Sequence, residues 1–151
     1  MYCLALDIGE RRTGIAVGEQ LARPLTTLNR RSKAEDFSAI GQLVREHHAD
    51  TVVVGLPLNM DGSKGFQAAK VERYALRLRD ALAEMGLTID LVLWDERMTT
   101  EEAESRMVES GVRRRDRQQR IDAVAAAVIL QSYLDHQASS MSEDRLYDTE
   151  S

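Results

Sequence analysis

The chain has 151 residues, of which 43% are apolar and 30% charged, with a net charge of −5 at pH 7. That length suits one domain with a sizeable core, and the composition is that of an ordered globular protein rather than a disordered chain. No run approaches the roughly 18 apolar residues of a membrane span, no secretory leader pattern opens the chain, and the one cysteine, Cys3, leaves no internal disulfide, so a cytoplasmic protein without membrane contact is expected.

Tyr2 to Gly9 read as a first strand, five apolar residues leading into an aspartate. Glu10 to Gly14 form a turn, and Ile15 to Gly18 a returning strand. Arg23 to Leu28 read as a third strand, with Pro24 suited to a sheet edge. Ser32 and Glu35 make a capping box, after which Phe37, Ile40, Val44 and His47 recur at helical spacing. Thr51 to Leu56 form an almost continuous β-branched run, as in a strand covered on both faces. Pro57 stops it, and Asp61-Gly62 marks a turn. Val71, Ala75, Leu78 and Leu82 give a second helix its buried stripe, closed by Gly86. Ile89 to Trp94 are a fifth strand. Thr99, with Glu102, reads as the cap of a third helix that buries Ala103 and Met107 and ends at Gly111. Ile121 to Leu134 form a helix that is apolar on nearly every side and is therefore doubly packed.

Residues 138–151 carry four acids against one arginine and lack apolar periodicity. The predicted organisation is one domain over 1–137 and a flexible acidic tail over 138–151. Strands joined by short turns pair antiparallel, whereas strands separated by helices add in parallel through right-handed crossovers. The predicted fold is α/β, a mixed five-stranded sheet of three antiparallel and then two parallel strands, flanked by helices.

Three acids sit in apolar surroundings: Asp7 in the first strand, Glu96 at the end of the last, and Asp122 in the first turn of the final helix. Strand ends of this kind build the sites of open α/β sheets. If the three converge, they repel one another unless a cation neutralises them, and hard oxygen ligands suit Mg²⁺ or Mn²⁺, as one or two ions. Two such ions about 3.5–4 Å apart would serve phosphodiester hydrolysis. Each acid also has an ordinary explanation. Asp7 could cap the turn, Glu96 could pair with Arg97 or Lys64, and Asp122 could complement the helix dipole. Arg113, Arg114, Arg115, Arg117 and Arg120 form a basic run beside Asp122, fit to hold a nucleic-acid backbone despite the acidic total charge. Arg30, Arg31 and Lys33 read as solvated surface charges.

The motifs Asp7-Ile8-Gly9, Thr13-Gly14-Ile15-Ala16-Val17-Gly18, Ala22-Arg23-Pro24-Leu25, Val54-Gly55-Leu56-Pro57-Leu58-Asn59-Met60-Asp61-Gly62-Ser63, Asp95-Glu96-Arg97-Met98-Thr99-Thr100 and Ile121-Asp122-Ala123-Val124-Ala125-Ala126 together resemble the YqgF/RuvX family. The resemblance covers residues 2 to about 136. It departs at Met98, where the family has leucine, and in the acidic tail. It implies an RNase H-like fold and a metal-dependent nuclease that processes the 5′ end of pre-16S rRNA in ribosome biogenesis, with the ribosomal small subunit as a partner, or a Holliday junction resolvase acting on branched DNA. It places the catalytic metal ligands on Asp7, Glu96 and Asp122, and puts the loop carrying Asn59, Asp61 and Ser63 against the substrate. Arg97 could then hold a phosphate, or pair with an acid such as Glu102. A monomer or a homodimer is expected; junction resolution would call for a symmetric dimer. Two other readings stay open. The hairpin also resembles the first phosphate-binding hairpin of sugar kinases and actin, which need a second such domain. A non-catalytic RNA-binding assembly factor could use the same fold.

Overall fold

A computed structural model describes the backbone of residues 1–109 and 117–148 and the side chains of 1–105 and 121–140. The elements in chain order are β1 (Cys3–Ile8), β2 (Arg12–Gly18), β3 (Ala22–Asn29), α1 (Lys33–Glu46), β4 (Thr51–Leu56), α2 (Phe66–Glu84), β5 (Asp90–Asp95), a 3₁₀ turn (Glu96–Met98), α3 (Glu101–Glu109) and α4 (Arg117–Asp148). The sheet order is β3-β2-β1-β4-β5. β1 pairs antiparallel with β2, and β2 with β3. β4 pairs parallel with β1, and β5 parallel with β4. The predicted mixed sheet is therefore the one formed. β1 lies at its centre, and Pro24 falls on the edge strand β3, opposite a register shift at Ile15/Ala16.

Alternation along β1 sets the two faces. Leu4, Leu6 and Ile8 enter the larger core with Ile40 and Val44 of α1 and Val71 and Leu78 of α2. Cys3 and Ala5 face the other way, into a core of small residues with Ala126, Ala127, Ile129 and Leu130 of α4. Small side chains on that face let α4 ride close to the sheet. A Cβ on Gly14 would collide with the backbone carbonyl of Asp122, so β2 and α4 touch backbone to backbone there. Gln131, fully buried, holds the helix in place: its Oε1 accepts from the Ala22 N–H at 2.8 Å, and its Nε2 donates to the Gln20 carbonyl at 3.3 Å.

Three local expectations change. The cap of α3 is Thr100, whose Oγ1 accepts from the Ala103 N–H at 3.1 Å. Thr99 instead closes the 3₁₀ turn, donating from Oγ1 to the Glu96 carbonyl at 2.9 Å. That turn, absent from the sequence reading, moves the helix start by one residue. Helix α4 begins at Arg117 rather than Ile121, which puts Asp122 beyond the first turn. It also runs past Leu134 to Asp148. The reason is local: neither Gly nor Pro occurs between 117 and 148 to stop it. Gly111, the expected end of α3, lies outside the described residues.

Candidate active site

Asp7 is the fifth residue of β1, on the face covered by α4, and its register partner across the hairpin is Gly14. Because Gly14 abuts the Asp122 backbone, the glycine that β2 needs for this close approach also brings the α4 acid to β1. Glu96 opens the 3₁₀ turn directly after β5, the second parallel neighbour along from β1. Its position is held from below: Trp94 Nε1 donates to Ser132 Oγ at 3.1 Å, and Ser132 Oγ donates to the Met98 carbonyl at 2.8 Å, tying both sides of the turn to α4. Its carboxyl reaches across β4, where a Cβ on Gly55 would lie 2.7 Å from Glu96 Oε1 and 2.6 Å from Ile129 Cδ1. Gly55 thus leaves the space that Glu96 occupies.

All three carboxylates are half-buried. Burial pushes the Asp7 carboxyl above its usual range, and the negative charge of Asp122 pushes it further. Burial, then Asp7, then Asp95 raise Glu96 from 4.5 to about 7. Desolvation and like charge act together here, and among the described residues neither Asp7 nor Glu96 has an ion-pair partner. The ordinary explanation for Glu96 fails on particulars: Lys64 pairs with Glu72 at 2.6 Å and Arg97 with Asp95 at 2.7 Å. Asp122 differs, because its Oδ2 accepts from Arg12 Nε at 2.7 Å.

Repelling carboxylates without a counter-charge fit a hard divalent cation. The fit belongs to Asp7 and Glu96 as they stand. Among the described residues no three acids lie close enough to hold an ion together, and Asp122 is held by Arg12 instead.

The remaining predicted residues fall outside this cluster. Asn59, Asp61 and Ser63 bond to one another: Asn59 Nδ2 donates to Ser63 Oγ at 2.9 Å, and the Ser63 N–H and Oγ both donate to Asp61 Oδ1, at 2.9 and 2.6 Å. These bonds hold Asp61 below the usual carboxylate range and shape the loop, with Gly62 at φ +88°. Arg97 grips both oxygens of Asp95 and donates from its second guanidinium nitrogen to the Met60 carbonyl at 3.1 Å, which braces this loop against the Glu96 turn. Arg113, Arg114 and Arg115 lie outside the described residues. Arg117 and Arg120 lie on α4, with side chains outside them.

A different set of cations gathers elsewhere, two of which, Arg30 and Lys33, read in the sequence as solvated surface charges. A groove of about 370 Å³ opens against Ile8, Gly9 and Glu10, the residues that follow Asp7, and Arg30, Lys33, Lys70, Arg73 and Arg77 line it. The α2 members recur at helical spacing on the exposed face, a signal that the sequence did contain.

Residues 1–136 match the family profile described as RuvX: Holliday junction resolvase. A protein of Anaeromyxobacter dehalogenans (strain 2CP-C), provisionally named a pre-16S rRNA nuclease, is 44% identical over 91% of this chain and 99% of its own. One of Caldanaerobacter subterraneus subsp. tengcongensis, with the same provisional name, is 42% identical over 93% of this chain and 100% of its own. Among solved structures, Thermus thermophilus RuvC superposes with a TM-score of 0.60 at 16% identity, covering 91% of this chain and 97% of that one, a likeness of fold. A structure of T. thermophilus RuvC with a Holliday junction substrate gives 0.57 at 14% identity, over 87% and 91%.

Proposed function

We propose that this chain, which belongs to the RuvX family, is a divalent-metal-dependent nuclease that hydrolyses phosphodiester bonds of structured nucleic acid, and that its substrate is the 5′ end of precursor 16S rRNA. The observation that carries the reading is the pair Asp7 and Glu96. They are two half-buried carboxylates at the ends of strands in the same sheet, both raised first by burial, Asp7 further by Asp122 and Glu96 further by Asp7 and Asp95, with no cation against them among the described residues. Perturbed carboxylates of this kind cluster at functional sites, and a divalent cation would relieve their repulsion.

Asp7 and Glu96, joined by Asp122, would hold Mg²⁺ or Mn²⁺. A bound cation supplies positive charge against a phosphodiester and lowers the pKa of the attacking water. The chain's own residues do the rest. Gly55 and the Ser132 relay fix the height of Glu96. Arg12, exposed at the mouth of the site and bonded to Asp122, can exchange that carboxylate for a phosphate oxygen, so it both guards the acid and receives the substrate. The names of the 44% and 42% identical relatives support the rRNA substrate. The family description and the RuvC-like fold support a second reading, cleavage of branched DNA.

Single-turnover cleavage of an end-labelled pre-16S 5′ fragment, run beside a four-way DNA junction with Mg²⁺ or Mn²⁺, tests both. Metal-dependent cutting of the RNA alone, lost in Asp7→Asn, is the expected result. Cutting of the junction alone moves the assignment to resolvase, and binding of either without cutting reduces the chain to an assembly factor.

A further inference from the structure

The groove against Ile8, Gly9 and Glu10 has the composition of a nucleic-acid surface rather than of a solvated helix face. On α2, Phe66, Lys70, Arg73 and Arg77 recur every three to four residues and so form one stripe, roughly 16 Å long at 1.5 Å per residue. Lys33 of α1 faces them across the groove, and Arg30 is fixed in it, donating to the Gly9 carbonyl at 2.8 Å and lying 5.0 Å over the Tyr74 ring. Five cations meet one lining acid, Glu10. Among the described residues Lys33, Lys70, Arg73 and Arg77 make no ion pair. Four unpaired cations converging on one concavity raise the local potential and invite an anion.

Two further features lie in the same groove. Phe66 is 81% exposed at its head, a large apolar cost in water, with Lys70 Nζ 6.0 Å from the ring centroid. At the floor, Tyr74 is 5% exposed and its hydroxyl is buried without a hydrogen-bond partner among the described residues. An orphaned buried hydroxyl is uncommon and asks for a ligand atom.

We propose that this groove is a single-strand nucleic-acid channel, in which a base stacks on Phe66, the sugar-phosphate backbone follows Lys70, Arg73 and Arg77 with Lys33 opposite, and a polar atom of the strand meets the Tyr74 hydroxyl. An exposed aromatic set in a row of cations is the combination that grips unpaired strands, since every base offers a face to stack and every nucleotide a charge. A duplex keeps its bases stacked and could use the cations alone. The groove lies on the α1/α2 face of the sheet whereas Asp7 faces α4, so a bound strand meets the candidate active site only by passing over the end of β1. The channel deepens the nuclease reading and rests on it for the fate of the strand, but not for the binding itself.

The test is fluorescence anisotropy with fluorescein-labelled 12-nucleotide oligouridylate, the matching oligothymidylate, and a blunt 12-base-pair duplex. Full-length protein is used in EDTA, where binding proceeds without cutting. Wild type should hold the single strands more tightly than the duplex. Phe66→Ala should weaken the single strands about tenfold and leave the duplex unchanged, and Phe66→Trp should restore binding. Lys70→Glu with Arg73→Glu should weaken both, and flatten the slope of log affinity against log salt by about two. Tyr74→Phe should weaken single-strand binding severalfold without lowering the melting temperature, which separates a ligand contact from a packing role. A wild type that prefers the duplex, or a Phe66→Ala protein that binds single strands as tightly as wild type, overturns the proposal. Failure of the cleavage assay with Phe66-dependent binding intact would sink the nuclease reading and leave the channel standing; cleavage with Phe66-independent binding would do the reverse.

Discussion

Replacing Glu96 by glutamine removes a charge that the fold penalises. Below pH 4.5 the carboxyl is protonated in folded and unfolded chains alike and has no effect on the pH dependence of stability. Between 4.5 and about 7 the unfolded chain has released the proton while the folded chain still holds it, so stability is lost as the pH rises. Above about 7 the whole penalty is present. At 1.36 kcal/mol per pH unit its ceiling is roughly 3 kcal/mol. The group is partly exposed, and solvent screening lowers this to roughly 1 kcal/mol, or about 3 °C in melting temperature for a domain of this size. In EDTA, Glu96→Gln should therefore melt about 3 °C above wild type at pH 8, with the gap closing near pH 4.5. Added Mn²⁺ should reverse the order at pH 8 by stabilising wild type alone. Thermal melts at the two pH values decide it. A difference that is the same at both would refute the electrostatic account of the pair, and a variant still stabilised by Mn²⁺ would refute Glu96 as a ligand.

Gly55→Ala places a methyl against Glu96 Oε1 and Ile129 Cδ1; it should cost about 1–3 kcal/mol by overpacking and lower Mn²⁺ affinity in calorimetric titration well beyond any effect on melting. Gly14→Ala drives a Cβ into the Asp122 backbone, where no side chain can yield. It should cost about 3 kcal/mol or more, with a fall of roughly 10 °C in melting temperature; an unchanged melt would mean that α4 does not sit where described. Arg12→Ala frees Asp122 from its 2.7 Å partner, and calorimetry should show Mn²⁺ binding severalfold tighter; an unaltered affinity would show that Asp122 takes no part in holding the ion.

Much of this architecture was legible because it is written locally. The β-branched run 51–56 could only be a strand covered on both faces, and the Ser32–Glu35 box does open α1: the Glu35 N–H donates to Ser32 Oγ at 3.1 Å. The three acids stood out because a carboxylate amid apolar residues is anomalous wherever it occurs. What escaped were features with no period of their own. A single 3₁₀ turn at 96–98 leaves no trace in hydrophobic spacing, so the cap fell on Thr99 instead of Thr100. The partner of Arg97 was equally hidden, since choosing Asp95 over Glu102 depends on a turn that folds the chain back two residues away. The groove was hidden for the opposite reason. Arg30 and Lys33 read as surface charges, and the helix over 66–84 reads through its apolar stripe, which leaves Lys70, Arg73 and Arg77 without a reading. Only the packing of α1 and α2 around the end of β1 turns those separate charges toward one space.

The backbone contact between Gly14 and Asp122 joins the second strand to the last helix, across more than a hundred intervening residues. Every strand can pair before α4 arrives, yet until it docks, Asp7 lacks the neighbour that completes its surroundings and Glu96 lacks the Ser132 relay beneath its turn. The candidate site is thus complete only once α4 is in place. A chain still emerging from the ribosome, or one cut short before α4, carries the sheet without a working site.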